Sequence, residues 1–452
     1  MLMAGHPLLP DILYLHCHDA GRFVQPYGYP VATPHLQRLA EEGVLFRQTF
    51  AAAPTCSPSR AALLTGQAPH SVGMYGLAHT RFGGFRLHDY RQHLAQYLKR
   101  AGYRSVLCGL QHEAMDPTWI GYGQILSVPK GGQPNAVEVA ARAARELEAA
   151  SDRPLFLSVG TVEPHRLMGP DRDPAFFTPE GPRGDPRYVR PAPIFPDLPE
   201  TRQDMADFYE AVRLFDAAVG LLTETLVRTG RLDRTLIIAT TDHGIAFPGM
   251  KCTLTDHGLG VMLIVRGPGG FTGGCVFDAL VSHVDVFPTL CELVGLPIPP
   301  WVQGRSLMPL IRQESDQIRD DLYGEITYHV RFEPQRCVRT RRWKYIRRFS
   351  NVPCPPSLRR QHREPHETTK PFPNTDPGLT KNVLLSAGWP GPNAAPEQWY
   401  DLWFDPMEVC NLADDPAQAE VLADLRERLL RWMVETKDPL LAGRAPEPPC
   451  AF

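Results

Sequence analysis

The sequence predicts an α/β protein in which a mostly parallel sheet is covered by helices on both faces. Short apolar runs alternate along the chain with longer segments of helical periodicity, and this is the order of elements that a parallel sheet requires. Several runs are almost continuously apolar, as expected for strands that are buried on both faces. With 452 residues and 43% hydrophobic composition, the chain is long enough to bury such a core.

The predicted elements of this sheet follow one another from about residue 12 to residue 295. The strands are ILYLHC at 12–17, YRSVLCG at 103–109, PLFLSVG at 154–160, LIIATT at 236–241 and VMLIVRG at 261–267. The helices are HLAQYLKRAG, which ends at Gly102, VEVAARAARELEAA, a stretch from Thr201 to Arg228, and HVDVFPTLCELVG at 283–295. Because the carboxyl ends of parallel strands share one edge, we expect a ligand site at that edge.

The character of the sequence changes after about residue 320. DLYGEITYH, CVRTRRWKYIRR and QWYDLWFD predict strands of a smaller antiparallel sheet, and AEVLADLRERLLRWMVE predicts a closing helix. Residues 350–395 are rich in proline and polar residues, and we expect an extended loop that borders a pocket. We therefore predict a catalytic domain over residues 1–320 and a smaller α+β domain over residues 321–452.

Composition narrows the classes of partner. The 47 basic and 50 acidic residues give a net charge of -3 and form no long block of one sign, so we expect neither nucleic acid nor a membrane surface as a partner. The N-terminal segment lacks a signal-peptide pattern, and no apolar run reaches the length of a membrane span, which together predict a cytoplasmic protein. The ten cysteines are scattered without a CxxC pair and favour reduced thiols. The oligomeric state is left open.

One cysteine lies in a distinctive segment, CSPSRAALLTG, at residues 56–66. Pro58 suits the first turn of a helix, where a missing N–H group costs nothing, and the free N–H groups of a helix N-terminus attract anions. The short motif Cys-x-Pro-x-Arg is weak evidence because it fixes only three residues. The extended string is far more specific.

This string resembles the signature of the type I sulfatase family. The resemblance continues through TPHLQRLAEEGVLFRQTFAAAPT before it and HSVGMYGL after it, and reaches WYDLWFDPMEVCNLADDP near the C-terminus. Together with EPHR and DHGIAFP, these segments are most similar to the sulfamidase-like branch of the family. The resemblance implies an alkaline-phosphatase-like fold. It also implies hydrolysis of a sulfate ester or N-sulfate on a small substrate such as a sugar, with release of inorganic sulfate.

The resemblance further implies a modified nucleophile. In this family a separate formylglycine-generating enzyme oxidises the motif cysteine to Cα-formylglycine, and Cys56 is the matching residue. One hydroxyl of the hydrated aldehyde attacks sulfur, and the other re-forms the aldehyde as sulfate leaves. Arg60 is implied to stabilise the hydrate.

A divalent metal site is implied in the same way. The family places two acidic residues after the first strand, where this chain has His18 and Asp19, and an Asp-Asn or Asp-His pair after a late strand, matched by Asp242 and His243. Cys56, as its hydrate, completes the implied ligand set. Calcium is the ion that the family implies, but two imidazoles would also accept manganese or zinc. His18 is either a ligand or a residue that orients one.

Three more residues match positions around the family's substrate. Lys251 matches a cation that binds sulfate, and His165 matches a histidine near the leaving group, where an imidazole can donate a proton. His112 matches a histidine near the hydrate or the leaving group.

The chain departs from the family at residue 110. The family has Gly-Lys-x-His, whereas here Leu110 replaces the lysine. Three alternatives follow: Arg166, Arg22 or a basic residue of the smaller domain substitutes for it, the leaving group or the substrate charge differs, or the activity is reduced.

Other polar residues are expected to be structural or remain open. Asp256 and His257 repeat the DHG string away from an apolar strand, and His283 and Asp285 at a helix start are expected to cap or pack. A further cluster is a candidate for the floor of the substrate pocket: Glu325, Tyr328, His329 and Arg336.

The sequence therefore predicts a formylglycine-dependent sulfatase, with two alternatives. A phosphonate monoester or phosphodiester hydrolase of the same superfamily would keep the same apparatus. A non-catalytic relative would bind a sulfated or phosphorylated ligand and keep Cys56 as a thiol.

Overall fold

The computed structural model describes residues 9–80, 83–126, 134–167, 175–176, 184–355, 374–389, 391 and 394–450. In this part the chain forms an eight-stranded sheet, a four-stranded sheet and a two-stranded ribbon. The strands in chain order are β1 Asp11–Cys17, β2 Val44–Phe50, β3 Arg104–Gly109, β4 Gln124–Leu126, β5 Leu155–Gly160, β6 Arg166–Leu167, β7 Ala175–Phe176, β8 Thr235–Thr241, β9 Leu263–Arg266, β10 Cys275–Ser282, β11 Asp321–Tyr328, β12 Phe332–Thr340, β13 Trp343–Arg348 and β14 Glu397–Asp401.

The α-helices lie between these strands and after them. In chain order they are α1 Pro34–Glu42, α2 Cys56–Thr65, α3 Leu94–Tyr97, α4 Ala136–Glu148, α5 Pro199–Arg228, α6 Asp256–Leu259, α7 Val286–Leu293, α8 Met308–Ile311, α9 Leu379–Ser386 and α10 Ala419–Glu435. None of the helices in the described ranges is both long and apolar enough to cross a membrane. All ten cysteines fall within these ranges, and none forms a disulfide.

The large sheet confirms the predicted α/β class. Its strand order is β10-β2-β9-β8-β1-β5-β3-β4, and β9 alone among these described strands runs antiparallel to its neighbours. Strands β1, β5 and β8 are buried along their whole length, which explains their almost continuously apolar sequence.

Helices cover both faces of this sheet because alternate residues of each strand point to opposite sides. On one face, Leu13 and Leu15 of β1 belong to a core that includes α4 and α5. On the other face, Ile12 and Tyr14 belong to a core that includes α2 and α7. Each strand therefore contributes to two helical layers.

The second sheet is antiparallel, as predicted, and α10 packs against it; its four strands form a meander in the order β11-β12-β13-β14, and the predicted segment CVRTRRWKYIRR is divided between β12 and β13. It shares a buried cluster with the large sheet, in which Phe50 and Leu259 meet Leu322 and Cys337. The division of the chain into domains at residue 320 stays a prediction.

Three local predictions differ from the structure. The predicted loop over residues 350–395 contains α9, and residues 356–373 of it lie outside the described residues. The helix before Gly102 is only one α-turn that continues as a 3-10 turn over Leu98–Ala101. The third difference is that β2 and β10 were not predicted as strands; they form a parallel ladder between segments far apart in the chain.

Candidate active site

Four central strands of the large sheet end side by side. They lie in the order β8, β1, β5 and β3 and are parallel, so their carboxyl ends meet at one edge. The predicted polar residues follow these ends: Asp242 and His243 after β8, His18 and Asp19 after β1, His165 after β5, and His112 after β3. Cys56 begins α2, which follows β2. The sheet thus brings the predicted site residues to one place.

Cys56 is the first residue of α2, and its side chain is buried. Its Sγ lies 3.3 Å from Nε2 of His243, and it also interacts with His112 and His18. Burial opposes ionisation, but the charges of Lys251 and His243 and the contacts with the other two histidines hold the pKa of the Cys56 thiol well below its usual range. Since the helix N-terminus adds positive potential, the position suits a group that develops negative charge.

Two carboxylates face this helix start. Oδ1 of Asp242 accepts hydrogen bonds from the backbone N–H groups of Asp19 (2.9 Å) and His243 (3.0 Å). Asp19 adopts a left-handed conformation with φ of 49°, which is uncommon outside glycine but tolerated by Asp. Burial opposes ionisation of both acids, but neighbouring cationic side chains hold the pKa values of Asp19 and Asp242 below their usual range. The site therefore contains two buried anionic groups.

Two imidazoles lie against these carboxylates. Nδ1 of His243 is 2.9 Å from the carbonyl oxygen of Gly244, to which it can donate, and Nε2 lies 3.2 Å from Oδ1 of Asp19. Nδ1 of His18 lies 3.1 Å from Oδ2 of Asp242. Burial opposes protonation, but the two acids raise the pKa of His243 to about 9 and that of His18 well above its usual range. The two carboxylates therefore stabilise positive charge on the groups that lie between them.

These residues fit a divalent cation. The ligand atoms of Asp19, Cys56, Asp242 and His243 lie within 4.8 Å of one another, and a second such group comprises His18, Asp19, Cys56 and His165. Within the described ranges, Oδ1 of Asp19 and Nδ1 of His18 are buried without a well-directed hydrogen bond, although they lie 3.5 Å from each other and Nδ1 lies 3.1 Å from Oδ2 of Asp242. Carboxylate, imidazole and thiol groups held this close together form a donor set that suits a divalent cation. The identity of the ion stays a prediction.

Arg60 forms its ion pair with Asp242 and makes no hydrogen bond to the cysteine within the described residues. Its Nη2 donates to Oδ2 of Asp242 (3.0 Å) and to the carbonyl oxygen of Cys17 (2.9 Å), and its Nη1 contacts Nδ1 of His16. Arg60 therefore orients Asp242, and its implied contact with a hydrate at Cys56 stays a prediction.

Lys251 lies at the centre of the site with its side chain almost fully buried. Its Nζ donates to Oδ2 of Asp19 and to Oδ2 of Asp376, both at 2.9 Å. Burial opposes the charged form, but these two carboxylates raise the pKa of Lys251 well above its usual value. The predicted anion-binding cation is thus shared between two acids.

The two remaining histidines flank His18. Their ring centroids lie 4.8 Å (His112) and 4.9 Å (His165) from that of His18. His165 Nδ1 is 2.6 Å from the carbonyl oxygen of Arg166, and its Nε2 lies 3.4 Å from Nζ of Lys251. Burial lowers the pKa of His112 to about 4, and burial together with Lys251 also lowers that of His165. Both rings are therefore neutral near neutral pH.

Neither arginine suggested to replace the family lysine is directed at the site. Arg166 forms a bidentate pair with Asp204 at 2.7 and 2.8 Å. Arg22 donates to the carbonyl oxygen of Thr49 and stacks on Phe50. Both suggestions are wrong for this arrangement.

The structure assigns other predicted residues to packing or ion pairs. Asp256 pairs with Arg339 and Lys344, in agreement with its predicted structural role. Asp285 accepts a hydrogen bond from the N–H group of Ser282 at the helix start, which confirms it as a cap.

The predicted pocket floor is wrong for three of its four residues. Glu325 and Arg336 belong to a buried ion-pair network with His70 and Asp438, and Tyr328 donates to the carbonyl oxygen of Pro446. The fourth residue, His329, interacts electrostatically with the Asp376 carboxylate.

Asp376 and His16 were not predicted. Asp376 lies in NTDPG, which indicates only a turn, and no strand or motif precedes it. His16 is part of an apolar strand, and only its position near the end of β1 could have pointed to the site.

The fold and the site together define a class of enzyme. A buried thiol, two carboxylates and several imidazoles meet at the carboxyl ends of central parallel strands, an arrangement that suits a metal-dependent hydrolase. The family profile described as "Sulfatase" matches residues 10–296, and the profile described as "N-sulphoglucosamine sulphohydrolase, C-terminal" matches residues 250–376. The chain therefore belongs to the sulfatase family and is a sulfuric ester hydrolase, as its sequence predicts.

Individual relatives agree with this assignment. N-sulphoglucosamine sulphohydrolase of Homo sapiens is 31% identical over 456 residues, which cover 90% of this chain and 86% of that protein. An ulvan-active sulfatase of Formosa agariphila is 28% identical over 444 residues, which cover 95% of this chain and 81% of that protein. The crystal structure of phosphonate monoester hydrolase of Agrobacterium radiobacter matches with a TM-score of 0.67 at 22% identity, and covers 96% of this chain and 97% of that chain. A likeness at this identity shows the fold alone.

Proposed function

We propose that the protein removes a sulfate group from a small sulfated sugar, either as an O-sulfate ester or as an N-sulfate. The position of Cys56 carries the proposal, because its buried Sγ begins a helix and lies 3.3 Å from His243 among the candidate metal ligands. The 31% identity to a human N-sulphoglucosamine sulphohydrolase makes an N-sulfated glucosamine the first substrate to test.

The proposed nucleophile is Cys56 after conversion by a formylglycine-generating enzyme. The hydrated aldehyde would supply a hydroxyl to attack sulfur and a second hydroxyl whose deprotonation regenerates the aldehyde. His112 contacts Cys56, and because its pKa is lowered to about 4 it is neutral and can accept a proton there. Burial of the site excludes water that would compete with the nucleophile.

The proposed metal site comprises Asp19, Asp242 and His243, with His18 and the modified Cys56 completing it. A divalent cation held there would polarise the sulfate oxygens as a Lewis acid. The Gly244 carbonyl orients His243, and Arg60 orients Asp242, as residues behind metal ligands commonly do. Calcium follows from the family, whereas the imidazole nitrogens favour manganese or zinc.

The proposed acid is His165. Its side chain is 21% exposed, so it borders the entrance, and Nε2 remains directed to the Lys251 side of the site. Because the ring is neutral in the free site, it would act as the acid only after Nε2 takes up a proton, which the negative charge of a bound sulfate favours; that proton would then neutralise the departing sugar oxygen or nitrogen. Lys251 would neutralise a sulfate oxygen at the same time.

The test is turnover by protein co-expressed with a formylglycine-generating enzyme. We expect cleavage of N-sulfated glucosamine or an aryl sulfate to exceed that of a phosphonate monoester, and Cys56→Ala to abolish it. A preference for the phosphonate by orders of magnitude would support the alternative hydrolase instead. Peptide mass analysis should show an aldehyde at Cys56, and an unmodified thiol would contradict the mechanism. Elemental analysis of the same protein identifies the ion.

A further inference from the structure

Asp376 is an unpredicted carboxylate inside the substrate site. Its Oδ2 lies 2.9 Å from Nζ of Lys251, and its side chain is only 8% exposed. Burial opposes ionisation, but the charges of Lys251 and His165 hold the pKa of Asp376 below its usual range. The carboxylate is therefore ionised at neutral pH and faces the cation that would bind the substrate anion.

The chain holds this carboxylate in place from both sides. Before it, Oδ1 of Asn374 accepts hydrogen bonds from the N–H groups of Val330 (3.1 Å) and Arg331 (2.8 Å) in the hairpin between β11 and β12. After it, the N–H group of Thr380 donates to Oδ2 of Asp204 at 3.1 Å. These hydrogen bonds on both sides restrict the backbone around Asp376, at a cost in conformational entropy, and so hold its carboxylate in one position.

The same site lacks a positive charge that the resemblance to the sulfatase family predicts. Leu110 stands where the family has lysine, and Lys251 is already shared with Asp19 and Asp376. The site therefore offers less net positive charge to an anion than its signature suggests. This matters because a sulfate ester carries one negative charge, whereas a phosphate monoester carries two above its second pKa of about 6.

We propose that Asp376 determines specificity by charge, so that the site accepts monoanionic sulfate and phosphonate monoesters and rejects dianionic phosphate monoesters. The proposal rests on the proposed function, since it concerns the same anion site. Asp376 is thus a specificity-determining residue rather than a catalytic one.

The expected size of the effect follows from the geometry. An oxygen bound to Lys251 at about 2.8 Å lies within about 6 Å of the Asp376 carboxylate, given the 2.9 Å from Nζ to Oδ2. At an effective dielectric constant of about 20, one additional negative charge on the substrate at that distance weakens its binding by roughly a hundredfold. Screening by solvent reduces this effect to about tenfold or more.

The experiment compares three substrates with one aryl leaving group at about pH 8: an aryl sulfate, an aryl phosphonate monoester and an aryl phosphate. We expect Asp376→Asn to raise kcat/KM for the phosphate relative to the sulfate by about tenfold or more. The ratio between the two monoanions should stay unchanged. Asp376→Glu keeps the charge and should keep all ratios, as should Asp316→Asn, which removes an exposed charge.

A phosphate-to-sulfate ratio that stays within twofold in Asp376→Asn overturns the proposal, as does an equal change in Asp376→Glu. A second measurement is independent of turnover. In the Cys56→Ala background, calorimetry of aryl sulfate and aryl phosphate binding should show the same relative gain for phosphate when Asp376 is replaced by Asn or Ala. Failure of the proposed function appears separately, as wild-type protein that cleaves no sulfated substrate.

Discussion

Replacement of Arg60 by Met tests whether the buried ion pair holds the metal site together. The Arg60 and Asp242 side chains are 1% and 0% exposed and lie 3.0 Å apart, so Arg60→Met leaves a buried carboxylate without its guanidinium partner. Removal of one partner of such a pair costs about 3–5 kcal/mol. Because His18 still lies 3.1 Å from the same carboxylate, we expect the lower end, about 3 kcal/mol.

Thermal and urea unfolding measure this loss, which corresponds to a fall in Tm of about 3 °C for a chain of 452 residues. Arg47→Met is the matched control, because Arg47 and Asp278 form an exposed pair at 3.0 Å, and such pairs contribute less than about 1 kcal/mol. Metal affinity, measured by titration, should fall by about 10- to 100-fold in Arg60→Met. The reasoning would be refuted if Arg60→Met and Arg47→Met lost the same free energy of unfolding and Arg60→Met bound metal as tightly as the wild type.

Three further predictions concern stability and metal. His93 is fully buried, burial lowers its pKa to about 3, and its Nδ1 accepts a hydrogen bond from the N–H group of Ala95. Below pH 6.5 the unfolded chain therefore binds more protons than the folded chain. The free energy of unfolding should fall as the pH drops from about 6.5 toward 3, by at most about 1.4 kcal/mol per pH unit. His93→Asn, which keeps an acceptor, should flatten this part of the Tm-against-pH curve, and an unchanged slope would contradict the assignment. A Cβ on Gly244 would lie 1.8 Å from the carbonyl oxygen of His257, so Gly244→Ala should lower the free energy of unfolding by about 1–3 kcal/mol and also lower the metal content. Gly102→Asn is the control, because Gly102 has a left-handed backbone with open space around it, and it should change both quantities little. Chelation should lower Tm, and readdition of metal at about 100 times its Kd should restore about 2.7 kcal/mol; a Tm indifferent to both would argue against a bound cation.

Much of the site was predictable because its residues follow strands whose patterns are local. The runs that became β1, β5 and β8 are continuously apolar, and His18, Asp19, Asp242 and His243 come directly after two of them. Parallel strands share an edge, so proximity of these residues follows from the fold class. The contacts of Arg60 did not follow, because its partner Asp242 is 182 residues away and several acids were candidates.

Asp376 shows the limit most clearly. It lies 125 residues from Lys251, in a proline-rich segment without periodicity, and the segment around it is anchored to Val330 and Asp204, which belong to other parts of the chain. No local pattern encodes such a contact. The same holds for the Glu325 and Arg336 pairings, which depend on where the second sheet packs.

The sequence by itself determined the α/β class and the sulfatase family, and it predicted Cys56 as the nucleophile, because periodicity and an extended motif are properties of neighbouring residues. Only the tertiary structure decided which charges face one another. It placed Lys251 between Asp19 and Asp376, and set Arg60 against Asp242. Electrostatic interactions depend on distance in space and on burial, and the order of residues along the chain specifies neither until the fold is formed.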